Sequence, residues 1–209
     1  MFALTMSAQI RVISNTSLGK GYYPRFADET TLTCFADESA AYDQMATDDA
    51  LRVDNKDLTL NLYRNGIKTI LTPHGDDVNY VWASLSPNKK YILFNTMHGT
   101  AICDLNGREI INFGQGLDAP VWYGNDYIVG MNDTSDSHQY TASSIVIASI
   151  DGTIRQTLTD PAELGMYPAV DAVSGRIAYN TLDGDIRMLQ LNLTEQPVRR
   201  QAPALKTLR

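Results

Sequence analysis

The side chains that could take part in chemistry are the three histidines of the chain and the acidic and tyrosine residues near them in sequence. Each histidine lies in a short stretch rich in turn-forming residues, which predicts a loop. Imidazole, carboxylate and phenol groups carried on loops are groups that bind ligands or metal ions. The candidate ligand-binding residues are Tyr42, Asp43, His74, Asp76, Asp77, His98, Asp136, His138 and Tyr140.

The sequence allows three interpretations of these residues. Loop residues are commonly polar only because loops contact water. Alternatively, His74, Asp76 and His138 converge on a ligand or a divalent cation, although no pair has a local spacing such as His-x3-His. A third interpretation is a contact with a peptide, a protein or a glycan. We predict no resident metal ion and no cofactor.

Motifs of catalysis are not recognisable in the sequence. It contains no Gly-x-Ser-x-Gly nucleophile elbow, and the glycine-rich run over residues 17–21 lacks the spacing of a phosphate-binding loop. Adjacent acidic residues such as Asp76 and Asp77 do not reveal the carboxylate separation that glycoside hydrolysis requires. We therefore predict no catalytic residue.

Short strands must position these loops, and they are clearest over residues 79–113. Four runs of β-branched, aromatic and aliphatic residues alternate with turn sequences, among them Asn106-Gly107. The predicted strands are Tyr80–Leu85, Tyr91–Thr96, Thr100–Asp104 and Glu109–Phe113. A meander of this size cannot bury both of its faces alone, so we expect neighbours of the same kind.

The same unit recurs along the chain. Pro24, Ala83, Pro120 and Pro168 occupy equivalent positions, with spacings of 59, 37 and 48 residues. A period near 40 residues with four strands per unit is typical of β-propeller blades. We therefore predict an all-β fold, a single β-propeller domain over residues 1–209. The predicted blades cover residues 22–72, 80–113, 118–159 and 166–201, with an extra outer strand over residues 8–14 and an acidic insertion over residues 36–57.

Strand direction decides on which face of a propeller each loop lies. The turns between the second and third strands of each blade share one face with the connections between blades. We call this face the loop face. It includes the insertion over residues 36–57, the link 73–79, the turn 97–99 and the loop 132–141, which together carry every candidate residue. The loop face is therefore the predicted binding site.

A family resemblance rests on the stretch ASLSPNKKYILF, residues 83–94. It resembles the pattern Pro-x-Trp-Ser-x-Asp-Gly-x-x-Ile-x-Phe of the WD-like blades in the TolB propeller superfamily, and departs from it at Ala83 and Lys89. The resemblance implies a six-bladed propeller, of which this chain would be a C-terminal piece, and a periplasmic or other extracytoplasmic bacterial setting. Nothing in the opening MFALTMSAQI predicts a signal peptide.

Closure of the ring has two predicted solutions, because an open terminal blade leaves an unpaired strand edge. In the first, Ile10–Ser14 pairs with Asp185–Leu191. In the second, which we favour, the chain belongs to a larger propeller. The fourth strand of the last blade is a weak prediction over residues 197–201.

Charge and composition limit the partners. A net charge of −7 argues against nucleic acid, because phosphate binding needs lysine and arginine in excess. No apolar run is long enough for a membrane span. Cys34 and Cys103 lie in predicted strands and are expected to be buried. The leading hypothesis is a non-catalytic scaffold that binds a protein or peptide on the loop face. The alternative is a carbohydrate-active or metal-dependent enzyme using histidine and aspartate residues of the same face.

Overall fold

A computed structural model describes residues 5–39, 50–136 and 138–198. Tyr42 and Asp43 lie outside the described residues. The described parts form seventeen β-strands and two short 3₁₀ turns, Lys56–Leu58 and Pro161–Glu163. The all-β prediction is therefore confirmed. None of the described helices is long and apolar enough to cross a membrane.

The strands follow one another along the chain with short connections. Those of the first part are β1 (Thr5–Lys20), β2 (Tyr22–Phe26), β3 (Leu32–Phe35), β4 (Leu51–Asp54), β5 (Leu60–Arg64) and β6 (Ile67–Leu71). Those of the middle part are β7 (Val81–Leu85), β8 (Tyr91–Thr96), β9 (Gly99–Asp104), β10 (Glu109–Gly114), β11 (Asp118–Tyr123), β12 (Tyr127–Ser135), β13 (Tyr140–Ser149) and β14 (Arg155–Thr157). The last three are β15 (Met166–Asp171), β16 (Arg176–Asn180) and β17 (Asp185–Val198).

These strands form five antiparallel sheets. Sheet I is β2-β3, sheet II is β4-β5-β6, sheet III is β7-β8-β9-β10, sheet IV is β11-β12-β13-β14, and sheet V is β15-β16-β17-β1. Along the chain, β4 packs against β7, β7 against β11, β11 against β15, and β15 against β2. Several four-stranded sheets stacked in this way are consistent with a propeller-like arrangement.

The hydrophobic core lies between successive sheets. One cluster joins sheets II and III, a second joins III and IV, and a third joins IV and V. Alternate residues of one strand enter different clusters: Ile92 and Phe94 of β8 face sheet II, whereas Leu93 between them faces sheet IV. Both faces of the middle sheets are therefore buried, as the sequence of residues 79–113 led us to expect.

Turn residues explain several of the hairpins. Asn65 and Gly66 join β5 to β6 with φ values of 50° and 81°, the two left-handed conformations that a type I′ turn requires. Glycine adopts such a conformation without steric cost, and asparagine tolerates it. This Asn-Gly turn lies where the sequence predicts it.

The outer strand of sheet V comes from the beginning of the chain. β1 pairs antiparallel with β17 from Thr5 opposite Val198 to Lys20 opposite Asp185. The N-terminal strand pairs with β17, as in the first of the two predicted solutions, but Ile10–Ser14 lies opposite residues 190–193 rather than 185–191. In the described part of the predicted fourth strand over residues 197–201, Pro197 and Val198 belong to β17, and Pro197 lies opposite Met6. Residues 199–201 lie outside the described residues.

The structure corrects two other expectations. Residues 22–72 do not form one four-stranded unit: Leu51–Asp54, which the sequence analysis placed in the insertion, is a strand that pairs with β5, and β2-β3 is a separate sheet. The signal was weak, because LRVD is short and follows an acidic stretch. Cys34 is exposed, whereas Cys103 is fully buried in the cluster between sheets II and III.

The position of β1 at the outer edge of sheet V leads to a prediction about the stability of the protein. Ile10 is 5% exposed and packs in the cluster between sheets IV and V, whereas Ile13 on the same strand is 60% exposed. We expect Ile10→Ala to lower the free energy of unfolding by about 2–4 kcal/mol, because it leaves a cavity in the core. The control Ile13→Ala should change it by less than about 0.5 kcal/mol. Urea denaturation measures both, and equal effects would contradict the buried position of β1.

The two thiols should differ in reactivity. Burial, with the nearby Asp104 and Glu109 charges, raises the pKa of the Cys103 thiol to about 12. Because the thiolate is the reactive form, a thiol-disulfide reagent near pH 8 should modify Cys34 in the native protein and Cys103 only after unfolding. The stability that Cys103 contributes should fall as pH rises from about 9 to about 12, since the unfolded chain ionises first. Rapid native modification of Cys103 would contradict its burial.

Candidate functional site

A cavity of about 630 Å³ is lined by one strand from every sheet. We call it the central cavity. Its wall contains two tryptophans and one phenylalanine, three prolines that follow strand bulges, and four charged residues. The contributing segments are residues 24–26 of β2, 51–54 of β4, 82–85 of β7, 120–122 of β11 and 168–170 of β15, together with Ser86, Pro87 and Lys89 of the β7–β8 turn.

A repeated backbone feature shapes this wall. Tyr23, Trp82, Ala119 and Tyr167 have positive φ values of 50°, 57°, 46° and 52°. At each of them the pairing of the lining strand with its neighbour shifts by a β-bulge. A bulge bends a strand and redirects its side chains, and such features concentrate near binding sites. The four bulges stand immediately before the positions that the sequence analysis treats as equivalent.

Aromatic rings pack together beside the cavity. The Tyr23 and Tyr167 rings meet edge to face with centroids 4.8 Å apart, and the Trp82 and Tyr167 centroids are 6.2 Å apart. Tyr23 donates a hydrogen bond of 2.9 Å to the Glu38 carbonyl. Burial is the main cause that raises the pKa of the Tyr167 phenol to about 12, with neighbouring Tyr140 adding to it. The rings therefore fill the N-terminal ends of the lining strands, and the cavity lies toward their C-terminal ends.

Two of the charged lining residues form an ion pair with each other. Arg52 forms an ion pair with Asp54 at 2.8 Å, and its guanidinium stands 3.5 Å over the Tyr63 ring centroid. Burial raises the pKa of Asp54, but hydrogen bonds from Asn61 and Lys56 and the Arg52 charge outweigh it, so the pKa is lowered. Asp54 therefore remains a carboxylate that is neutralised within the wall.

The predicted site residue His74 is held inside the protein. Its Nδ1 lies 2.8 Å from Thr96 Oγ1, and its Nε2 lies 2.7 Å from a carboxylate oxygen of Glu109. Its side chain is 5% exposed, and its ring meets Phe94 edge to face. The carboxylate, imidazole and hydroxyl are connected as in a hydrolase triad. However, Thr96 is only 4% exposed, so its hydroxyl has almost no access to a substrate.

The predicted site residues close to His74 are more exposed than the His74 side chain. Asp76 and Asp77 lie exposed in the turn before β7. The exposed His98 is brought next to His74, with ring centroids 5.7 Å apart. The structure thus gathers two of the three histidines, at the end of sheet III rather than in the central cavity.

The third histidine lies in the β12–β13 turn. Asp136 accepts hydrogen bonds from the backbone N–H groups of His138 and Gln139, which lower the pKa of its carboxyl group. The His138 residue is exposed. Tyr140 is half-buried, and burial together with the Asp133 charge raises the pKa of its phenol. Asp136 therefore stabilises the β12–β13 turn through these hydrogen bonds.

The predicted residues do not assemble into a metal centre in the described part of the chain. No group of three or more histidine, cysteine, aspartate or glutamate side chains is placed to hold a metal ion there. None of the described candidates lines the central cavity. The predicted site residues did not include the cavity residues Arg25, Arg52 and Trp122, although the repeated proline positions marked two of the strands that carry them.

Comparison with known proteins adds no family assignment. No protein-family model matches the chain, and no curated protein is significantly similar to it. The TolB resemblance therefore stays a prediction, and the site is interpreted from its geometry.

The contacts of His74 predict a structural role. We expect His74→Ala to reduce the free energy of unfolding by about 1–3 kcal/mol, because Thr96 and Glu109 lose a shared hydrogen-bond partner. His138→Ala, in an exposed turn, should change it by less than about 0.5 kcal/mol. Chemical denaturation checks both variants. A His74→Ala protein of unchanged stability would show that these contacts do not stabilise the fold and would return His74 to the list of functional candidates.

Proposed function

We propose that this chain is a non-catalytic binding module that holds a segment of a protein or peptide partner in the central cavity. In this proposal the five sheets act as the blades of a propeller, and the strands that line the cavity are the innermost strands. The observation that supports this proposal is that all five sheets contribute one strand to the wall of the same cavity.

The wall has the chemistry of a binding site. The volume of the cavity, about 630 Å³, falls in the ordinary range for ligand pockets. Phe26, Trp82 and Trp122 offer aromatic surface, and such side chains supply most of the energy of small interfaces. Pro87 and Lys89 are exposed at its rim, so the cavity reaches the surface beside the β7–β8 turn.

This proposal moves the site away from the predicted loop face. His74 uses both ring nitrogens inside the protein, and Asp136 is bonded to its own turn. An enzyme on that face that used His74 would require this residue to release Thr96 or Glu109, which costs stability. The binding module therefore remains the first proposal, and an extracytoplasmic setting stays a prediction.

Filling the cavity should weaken the binding of a peptide. A random peptide library is selected on the immobilised wild-type protein, and the selected peptides are measured against Ala169→Trp, which places an indole in the cavity wall. We expect binding to weaken at least tenfold, because bound apolar groups lose the space that they occupy. Ala162→Trp, at an exposed position outside the cavity, is the matched control and should bind as the wild type does.

Two outcomes would overturn the proposal. One is a library that yields no specific peptide, and the other is a set of peptides that bind wild type and Ala169→Trp equally. Urea denaturation establishes that the variant folds. If it does not fold, Trp82→Ala tests the same wall by removing an aromatic side chain, and it should also weaken binding.

A further inference from the structure

We propose that the hydroxyl group of Ser84 is a polar contact of the central cavity, and that it forms a hydrogen bond with a backbone amide group of the bound peptide. This inference rests on the proposed binding function and names one residue that holds the ligand. It follows from the state of this hydroxyl in the protein without a ligand.

The Ser84 hydroxyl is buried and has no hydrogen-bond partner in the described part of the chain. Its Oγ atom is shielded from solvent, and no donor or acceptor replaces the lost water. A hydroxyl in this state destabilises the folded protein, because it has given up its bonds to water without compensation. Buried polar groups are normally paired, so this exception requires an explanation.

The surroundings of Ser84 are apolar. Ser84 lies opposite Leu93 on the neighbouring strand β8, and Leu93 belongs to the hydrophobic cluster between sheets III and IV. Trp122 packs against the same cluster, and its indole N–H donates to the backbone carbonyl of Ser84 at 3.3 Å. This indole donor therefore binds the backbone of Ser84 rather than its hydroxyl.

Ser84 is also part of the cavity wall. The residue as a whole is half-buried and lines the cavity, although its Oγ atom is covered. A serine side chain turns about one bond, χ1, between three staggered positions. Such a rotation can carry the hydroxyl from its covered position toward a ligand, and it breaks no existing hydrogen bond. Binding then gives the hydroxyl the partner that it lacks in the free protein.

A backbone amide with apolar neighbours is the ligand group that fits this position. A serine hydroxyl both donates and accepts hydrogen bonds, and a backbone amide offers a carbonyl acceptor and an N–H donor. The cavity wall also contains Leu85, Pro120 and Val121, which favour apolar side chains on either side of that amide. A segment of a peptide chain provides both features.

Ser86, two residues along the same wall, provides a contrast in stability. Its Oγ atom donates to Asn88 Oδ1 at 2.8 Å and accepts from the backbone N–H groups of Lys90 and Tyr91. Ser86→Ala should therefore lower the urea concentration at the midpoint of unfolding. Ser84→Ala should leave that midpoint unchanged or raise it, because it removes a hydroxyl that has no partner.

The binding test uses the tightest peptide that is selected on the wild-type protein and lost in Ala169→Trp. Fluorescence anisotropy should show that Ser84→Ala binds it about five- to tenfold more weakly, the effect of losing one hydrogen bond. Ser135→Ala, which removes an exposed hydroxyl outside the cavity, is the control and should bind as the wild type does.

A second series of peptides identifies the partner of the hydroxyl. Each backbone amide of the selected peptide is replaced in turn by an ester, which removes the N–H donor and weakens the carbonyl acceptor. We expect one ester to weaken binding to the wild type about five- to tenfold. The same ester should have little effect on binding to Ser84→Ala, because two changes that remove the same hydrogen bond are not additive.

The outcomes separate this inference from the function on which it rests. Cavity-dependent peptides that bind Ser84→Ala as tightly as the wild type would overturn the role of Ser84 and leave the binding function standing. A loss of affinity in Ser84→Ala that is additive with every ester would also overturn it, since the hydroxyl would then have no partner in the peptide backbone. A lower unfolding midpoint for Ser84→Ala would assign the hydroxyl to stability instead. If selection yields no cavity-dependent peptide, the proposed function itself fails, and this inference fails with it.

Discussion

A left-handed backbone residue at the same place in four lining strands is the constraint on which the rest of this structure depends. Tyr23, Trp82, Ala119 and Tyr167 are not glycine, so each conformation costs of the order of 1–3 kcal/mol. The surrounding sheets must offset that cost. In three of the four strands the residue at the bulge is aromatic, and its ring packs against neighbouring rings. The segment that follows each bulge forms part of the cavity wall. Local strain and the candidate site therefore have a common origin.

Packing between sheets supplies the stability that these bulges require. The strands of the middle sheets send alternate residues into two different clusters, so no sheet could be stable alone. Sheet V depends in addition on β1, which belongs to the beginning of the chain. A polar network ties this strand in place: the buried Tyr179 hydroxyl donates to Glu163 at 2.7 Å, and the Asn15 amide donates to both. Burial, followed by the Glu163 carboxylate, raises the pKa of the Tyr179 phenol.

The polar residues of the loops and those of the cavity have different roles. His74 and Asp136 hydrogen-bond to their own surroundings and stabilise turns and links. The cavity wall contains aromatic residues such as Trp82 and Trp122 and the Arg52–Asp54 ion pair. Polar character in a loop does not by itself indicate a binding role, because a loop must satisfy its own backbone groups before it can serve a ligand.

The sequence by itself determined the strands, their turns and the recurrence of the unit, because these depend on residue type and on contacts between neighbours in the chain. Tyr91–Thr96 is a strand with the bounds that the local pattern predicts. Only the tertiary structure decided that Leu51–Asp54 is a separate strand, which of the two predicted solutions β1 follows, and that one strand from every sheet lines the same cavity. Those features arise from contacts between residues far apart in sequence, such as Ile10 with Leu193, and no local pattern encodes them.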